Sequence, residues 1–184
     1  MTSKVLNSRA VNKEAKFVLL CFPWAGGGSN FYANWSKLVP APDFLEVCGI
    51  TLPGREARYR EPCHNRLHEH IQEVCCAITE KYNGRRLAFW GHSMGALLAF
   101  QTALKLKQDK GLEPVRLFVS GISAPQSRKR KETKTGVDKM NDEEFKEYLR
   151  RLGGTPKEVL ENKELMDLFL PSLRADYSLL DHFE

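Results

Sequence analysis

Short apolar runs alternate with amphipathic segments along the first two thirds of the chain. Three runs, at 17–22, 86–91 and 115–120, are almost continuously apolar, and a weaker one lies at 45–52. Runs of this length without polar alternation are typical of strands buried on both faces of a parallel sheet. The pattern therefore predicts four strands in a mostly parallel sheet.

Helical periodicity fills the intervals between these runs. Residues 31–38, 67–81 and 94–108 place apolar side chains at the spacing of a helix face. Alternation of strand and helix is the pattern of right-handed βαβ units. The sequence thus predicts an α/β fold.

The pattern changes after residue 121. A loop rich in Ser, Lys and Arg leads to helix-like segments at 141–151, 156–170 and 172–183, with no strand pattern among them. The last residues, up to Glu184, carry no Gly, Pro or other signal that ends a helix. We therefore expect the last strands and helix of the sheet to be missing from this chain.

These changes in pattern divide the chain into three parts. Residues 1–16 are predicted to be a polar N-terminal tail, and residues 17–125 the first part of the α/β core. Residues 126–184 are predicted to be a basic loop and a helical lid, after which the chain ends before the remaining core. The whole has the length of one domain.

The composition is that of an ordinary globular protein. Of the 184 residues, 42% are hydrophobic and 28% are charged. The first sixteen residues lack the apolar core of a signal peptide, and no run approaches the about 18 apolar residues of a membrane span. We expect a cytosolic protein without a membrane span. The five cysteines lack metal-ligand spacing and are interpreted as ordinary thiols.

The net charge of +5 has a local origin. Residues 128–134, RKRKETK, carry five positive charges and one negative charge, so the rest of the chain is nearly neutral. No aromatic side chains interleave with this basic run. We interpret it as a solvated loop and expect no nucleic-acid partner.

A serine lies between two glycines where the apolar run at 86–91 gives way to a helix. The sequence Gly91-His92-Ser93-Met94-Gly95 matches the pattern G-x-S-x-G of a nucleophile elbow, with a strand before it and a helix after it. Such a turn strains the serine backbone, and its glycines allow the turn to close. We predict that Ser93 is a nucleophile and that the Met94 amide donates to a developing oxyanion. The alternative is a packing turn with an incidental serine.

A second glycine-rich turn follows the first apolar run. Residues 22–29, FPWAGGGS, allow backbone to approach a ligand closely. An oxyanion hole takes its second donor from a loop of this kind, and we assign the amide of Trp24 or Ala25 to that position. Phosphate binding is the alternative, although the spacing of known phosphate-binding glycine motifs is absent.

Five segments together resemble the type II thioesterases of the α/β-hydrolase superfamily. The resemblance runs from about Phe17 to the end of the chain and is strongest to the medium-chain fatty acid synthase thioesterases of animals, the oleoyl-ACP hydrolases. The segments, in chain order, are FPWAGGGSNFYANW, LPGREARYREP, FWGHSMGALLAF, LGGTPKEVL and PSLRADYSLL.

The resemblance implies an enzyme that hydrolyses acyl thioesters. The implied partner is the acyl carrier protein of a fatty acid synthase with a phosphopantetheine-linked acyl chain, and the implied product is a free medium- to long-chain fatty acid. Ser93 matches the family's nucleophile, while Met94 and Trp24 match its oxyanion loops. The segment from about residue 140 matches the helical lid. The resemblance implies a monomer without cofactor or metal, and gives Arg55 and Arg174 a structural or carrier-facing role.

The histidine that should activate Ser93 is not evident. In this fold the triad runs in the order Ser, then Asp or Glu, then His, and the only histidine after Ser93 is His182. Asp181 precedes it directly, but neighbouring residues on a helix point about 100° apart, so this carboxylate is poorly placed to orient the imidazole. We therefore expect the triad acid and base beyond residue 184.

Two other functions remain open on the sequence. One is a carrier-protein binder that is catalytically impaired because the chain is truncated, and the other is an esterase of the same fold that acts on oxygen esters. Apolar positions in the predicted lid recur at helical spacing and are expected either to line an acyl tunnel or to form a core. They are Phe145, Leu149, Leu152, Leu165, Phe169 and Leu173.

Overall fold

A computed structural model of the chain describes residues 4–128 and 134–183. Its centre is a five-stranded sheet in the order β1-β3-β2-β4-β5, in which all neighbouring strands are parallel except the antiparallel pair β1 and β3. The predicted α/β fold is confirmed. The strands are β1 Leu6–Asn7, β2 Phe17–Phe22, β3 Leu45–Ile50, β4 Leu87–His92 and β5 Arg116–Ser120.

Helices connect the parallel strands, as the sequence predicts, and follow the last strand. They are α1 Ser29–Ala33, α2 Leu67–Tyr82, α3 Met94–Lys110, α4 Asp142–Leu152, α5 Lys157–Glu161 and α6 Lys163–Asp181. Short 3-10 turns lie at Asn34–Leu38, Glu56–Arg58 and Val137–Lys139.

The main core lies where α2 and α3 pack against the centre of the sheet. Leu20 and Phe22 of β2 and Phe89 of β4 are fully buried, and the rings of the two phenylalanines are 5.3 Å apart. Val74 and Ile78 on α2 are equally buried in the same cluster. Each such side chain contributes about 1.5–3 kcal/mol by leaving water. The continuous apolar runs thus hold the central strands in place.

The predicted polar tail contributes to the sheet. Val5 and Leu6 are buried, and Leu6 pairs with Ile50 of β3 in the antiparallel register. Two apolar residues are enough for this short edge strand but too few to produce a periodic pattern. The description of residues 1–16 as a tail is therefore wrong for this part.

The last strand, β5, departs from the prediction of burial on both faces. Phe118 is 46% exposed and Val119 is 58% exposed, whereas β2 and β4 are largely buried. The reason is its position, because within residues 4–128 and 134–183 β5 is an edge strand whose one partner is β4. The apolar run at 115–120 predicts burial, but the described residues leave much of the strand exposed.

The predicted helix break at residue 171 is wrong. Helix α6 continues through Pro171, and the break lies earlier, at Asn162, whose side chain accepts a hydrogen bond from the Leu165 amide at 3.0 Å. An asparagine in this position is a strong helix start. Proline inside α6 removes one backbone donor, but its neighbours Leu170 and Leu173 are buried and keep the helix packed.

The helices after β5 form a second apolar cluster. Of the six predicted tunnel positions, Phe145, Leu149 and Leu173 are buried in this cluster, which favours the core interpretation for them. The other three are exposed, at 54% for Leu152, 37% for Leu165 and 42% for Phe169.

None of the helices in the described part of the chain combines the length and the apolar character that crossing a bilayer requires. Residues 129–133, most of the basic run singled out by its charge, lie outside the described residues.

Candidate active site

Ser93 occupies a strained turn between β4 and α3. Its backbone has φ 52° and ψ −123°, a region that residues with a side chain rarely adopt. The Ser93 amide donates to the Ser120 carbonyl at 2.8 Å, and the Ser93 carbonyl accepts from the Ala96 amide at 3.0 Å. The turn is therefore fixed by β5 on one side and by the first turn of α3 on the other. The serine itself is half-buried.

The two glycines of the motif allow this turn to close. A Cβ atom on Gly91 would lie 2.2 Å from the Gly95 carbonyl oxygen, and a Cβ atom on Gly95 would lie 2.1 Å from the Phe22 carbonyl oxygen. Both contacts are with backbone, which cannot move aside without disturbing the sheet. The motif is therefore required by packing at this site.

Met94 is the first residue of α3, so its amide has no acceptor within the helix. The positive end of the helix dipole lies at the same place and favours negative charge there. The Met94 side chain is 1% exposed and belongs to the main core. Core packing thus fixes the position of Met94, whose amide is predicted to donate to a developing oxyanion.

The glycine-rich loop after β2 lies against the serine turn because of the strand register. Phe22 pairs with Gly91, so the residues that follow Phe22 lie beside His92 and Ser93. The close approach of Gly95 to the Phe22 and Pro23 carbonyls shows that the start of α3 contacts this loop directly. The loop that contains Trp24 thus begins beside the turn that carries Ser93 and Met94, and the assignment of Trp24 as an oxyanion donor stays a prediction.

Two backbone amides of the glycine-rich loop already donate hydrogen bonds, which limits the candidates for the oxyanion donor. The Gly27 amide donates to the Trp24 carbonyl at 2.8 Å, and the Gly26 amide donates to Asp176 Oδ2 at 2.7 Å. Neither amide is therefore available to an oxyanion. Within the described residues the amides of Trp24 and Ala25 have no acceptor, so these two remain as donors.

Arg55 and Asp176 fix the glycine-rich loop through hydrogen bonds to its backbone. Arg55 Nη1 donates to the Gly27 carbonyl at 3.0 Å, and the guanidinium forms a two-pronged ion pair with Asp176 at 2.7 and 2.8 Å. Burial lowers the pKa of Arg55, but the Asp176 carboxylate outweighs it and raises that pKa above its ordinary value. Leu173 contacts the same loop at Gly26. Helix α6, which belongs to the predicted lid, is thus attached to the glycine-rich loop.

Glu56 fixes the other end of this loop. Its carboxylate accepts hydrogen bonds from the amides of Ser29 at 2.9 Å and Asn30 at 2.8 Å, and from the Ser29 hydroxyl. Glu56 has a positive φ of 50°, and a side chain on Gly28 would collide with its carboxylate. Sequence analysis missed this role because no periodicity marks it. The charge in LPGRE, directly after a predicted strand, was the only available signal.

His182 and Asp181 do not act as a pair. His182 Nδ1 hydrogen-bonds the Ser178 carbonyl at 2.8 Å, while the Asp181 carboxylate accepts from Thr135 and from the Gly136 amide. His182 lines a groove of about 990 Å³ together with the later turns of α3. Gln101 is the α3 residue of that groove nearest to Ser93 in sequence, and eight residues of helix correspond to about 12 Å. The groove with His182 therefore lies along α3 away from the serine turn.

His92, next to the serine, is exposed and lies within 3.2 Å of the Ser120 hydroxyl through Nδ1. Its neighbour Gly121 has no room for a Cβ atom because the His92 ring fills that space. The His92 ring thus packs against the end of β5 and Gly121. Across residues 4–128 and 134–183, none of the histidines forms a hydrogen bond with the Ser93 side chain.

Comparison with known proteins agrees with this geometry. The family model of the thioesterase domain matches residues 17–184. The chain belongs to the thioesterase family. The resemblance drawn from the five sequence segments is thereby confirmed, and the fold is that of the α/β-hydrolase thioesterases.

Relatives in the thioesterase family come from different pathways. The medium-chain S-acyl fatty acid synthase thioesterase of Rattus norvegicus is 39% identical over 180 residues, 98% of this chain and 67% of the relative. The gramicidin S biosynthesis protein GrsT of Aneurinibacillus migulanus is 41% identical over 174 residues, 95% of this chain and 66% of the relative. The structure of the type II thioesterase BorB from the borrelidin biosynthetic cluster matches with a TM-score of 0.83 at 30% identity, covering 100% of this chain and 72% of that one.

The chain spans about two thirds of the length of the curated thioesterases that it matches. All the elements described above, from the glycine-rich loop to the lid helix, fall in the part that is shared.

Proposed function

We propose that this protein is a serine thioesterase that hydrolyses acyl chains from the phosphopantetheine arm of an acyl carrier protein. The product is a free medium- to long-chain fatty acid made in fatty acid biosynthesis, and the protein acts in the cytosol as a monomer. The observation that carries the proposal is the strained backbone of Ser93, with the Met94 amide and the Trp24 or Ala25 amide beside it.

The proposed reaction has two steps. The Ser93 hydroxyl oxygen attacks the thioester carbonyl carbon, and the negative charge that develops on the carbonyl oxygen is stabilised by the Met94 and Trp24 amides. The C–S bond then breaks, the phosphopantetheine thiol leaves with the proton from the serine, and an acyl-enzyme remains. Water attacks the acyl-enzyme, which releases the carboxylic acid and restores the serine hydroxyl.

The proposal makes a direct test of Ser93 possible. The 184-residue chain is treated with a fluorophosphonate probe, and labelling is measured by intact mass, with Ser93→Ala as the control. We expect slow addition of one label to the wild-type chain, because the base is expected beyond residue 184, and no label on the variant. A folded chain that remains unlabelled would contradict a reactive serine.

Substrate class needs a separate measurement. The names of the relatives point to a fatty acid synthase in one case and to gramicidin S biosynthesis in another. We expect higher kcat/KM on fatty acyl thioesters of a carrier protein than on aminoacyl thioesters of a carrier protein or on oxygen esters of the same acyl chain. A preference for the oxygen esters would favour the esterase alternative.

The positions of the histidines favour a second function, that of a carrier-protein binder. Because none of them, in the described residues, is hydrogen-bonded to Ser93, a carrier-protein binder without turnover is the alternative proposal. A serine without its base is a weak nucleophile, although oxyanion hole and binding alone leave some catalysis. Binding of acyl carrier protein without release of fatty acid in a single-turnover experiment would support it, whereas release would exclude it.

A further inference from the structure

His64, His70 and Glu73 lie together away from the serine turn. His70 and Glu73 are three residues apart on α2 and therefore share one face of the helix. His64 comes from the loop before α2, and its ring centroid is 5.6 Å from that of His70. One ligand atom from each of the three side chains lies within 4.8 Å of the other two.

The nitrogens of this cluster lack hydrogen-bond partners. His70 is fully buried, and neither of its ring nitrogens has a partner among the described residues; the same holds for Nδ1 of His64. Buried imidazole nitrogens are normally hydrogen-bonded, so three unpartnered ones in a single cluster indicate a missing binding partner. Burial, reinforced by the charges of His64 and two arginines, lowers the pKa of His70 to about 3. The imidazole is therefore neutral and has a free lone pair.

The charged side chains around the cluster are paired with one another. Arg58 forms ion pairs with Glu73 and Glu61, each at 2.6 Å, and Arg55 pairs with Asp176. Three carboxylates are thus paired with two guanidinium groups, so the local sum of charge is negative, although both arginines act against positive charge at the His70 ring. Each carboxylate oxygen has two acceptor sites, so Glu73 can keep its bonds to Arg58 and still bind a metal ion.

We propose that His64, His70 and Glu73 form a binding site for a divalent transition metal ion, with Zn²⁺ as the best match. Two imidazoles and one carboxylate are a ligand set that Zn²⁺ uses, with water completing the tetrahedron, whereas Mg²⁺ and Ca²⁺ prefer oxygen ligands alone. Tetrahedral Zn²⁺ needs its ligand atoms about 3.3 Å apart. Metal binding therefore draws the His64 loop closer to α2 and tethers it there.

The site is tested by titrating the chelator-treated 184-residue chain with Co²⁺, whose visible absorption reports its ligands. We expect bands of a tetrahedral site without thiolate charge transfer at one equivalent, and their loss when Zn²⁺ is added. A free Zn²⁺ concentration one hundred times its Kd should raise the Tm by about 5 to 10 °C. Thiolate charge transfer would assign the ion to a cysteine such as Cys63 and overturn the proposal, as would the absence of any bands.

Variants separate this site from adventitious binding. His70→Leu should abolish the cobalt bands and the Zn²⁺-dependent rise in Tm while filling an apolar position. His64→Ala, in the loop, makes the same test if the helix variant does not fold. The matched control is His68→Gln, because His68 is exposed on the same helix and outside the cluster; it should leave both signals unchanged. Bands that persist in both His70→Leu and His64→Ala would overturn the assignment.

Discussion

The carboxylate of Asp176 binds the guanidinium of Arg55 with two hydrogen bonds and also accepts the Gly26 amide. The two residues are 121 positions apart, and their side chains are 1% and 11% exposed. One carboxylate thus connects the lid helix to the loop that carries the proposed oxyanion donors. Lid position and loop shape are therefore coupled.

Replacing Asp176 tests this coupling. In Asp176→Asn the Arg55 charge remains buried without its counter-ion, which costs about 3–5 kcal/mol in comparable pairs. We expect a loss of that size in the free energy of unfolding, measured with urea, and slower probe labelling of Ser93. The control is Asp142→Asn, which breaks an ion pair of the same lid in which the aspartate is 66% exposed; it should cost less than about 1 kcal/mol. Equal losses would argue against a special role for Asp176.

The Gly95 contact predicts a large steric effect. Gly95→Ala places a methyl group 2.1 Å from the Phe22 carbonyl oxygen, so helix α3 and strand β2 must separate. We expect destabilisation of about 3 kcal/mol or more, at the upper end of overpacking effects. Gly111→Ala is the matched control: Gly111 has a positive φ but open space around it, so the cost should be about 1–2 kcal/mol. Similar unfolding midpoints for the two variants would contradict the steric argument.

The strain at Ser93 predicts an opposition between stability and chemistry. Glycine adopts φ 52° and ψ −123° without penalty, whereas alanine does not. Ser93→Gly should therefore be more stable than Ser93→Ala by about 1–3 kcal/mol, and neither should react with the fluorophosphonate probe. Urea denaturation of the two variants measures the difference. A Ser93→Gly variant no more stable than Ser93→Ala would mean that the turn is relaxed.

The buried imidazole of His70 predicts a pH dependence. Burial lowers the pKa of His70 from its ordinary value of 6.5 to about 3 in the folded protein, so only the unfolded state binds the proton between these values. The free energy of unfolding is therefore unaffected by the titration of His70 above pH 6.5. Below pH 6.5 it decreases by about 1.4 kcal/mol for each pH unit.

The comparison with His70→Leu isolates this effect from the titration of carboxylates. In a chelating buffer that removes metal ions, the stability advantage of His70→Leu should increase from pH 6.5 down to pH 4. The charged groups that act on His70 are His64, Arg58 and Arg55, and all three disfavour its protonation. Parallel stability curves for the two proteins would show that His70 is protonated in the folded state.

Local patterns were enough to predict the central elements of the fold. The runs that became β2 and β4, and the periodicity of α2 and α3, have boundaries within a few residues of the predictions because each element is set by its own apolar side chains. The elbow at Ser93 was equally predictable, since its two glycines follow from contacts within a few residues and with the adjacent strand.

Contacts over long sequence distances could not be predicted in this way. Sequence patterns do not show that Asp176 accepts the Gly26 amide, or that Glu56 holds the amides of Ser29 and Asn30. The burial of Val5 also depends on strand β3, which begins at Leu45 and pairs with β1. These features depend on which elements pack against one another. The resemblance to a fold family predicts the helices and strands but not the polar contacts between them.

The pairing of Phe22 with Gly91 has a consequence for how precisely the proposed active site is built. A slip of one residue between β2 and β4 would turn every core side chain of one strand toward the opposite face. Such an error would expose the core side chains of that strand and costs far more than thermal energy. The register of β2 and β4 therefore fixes the relative position of Ser93 and the glycine-rich loop, because both follow directly from these strands. Motion within either loop leaves the strand ends aligned.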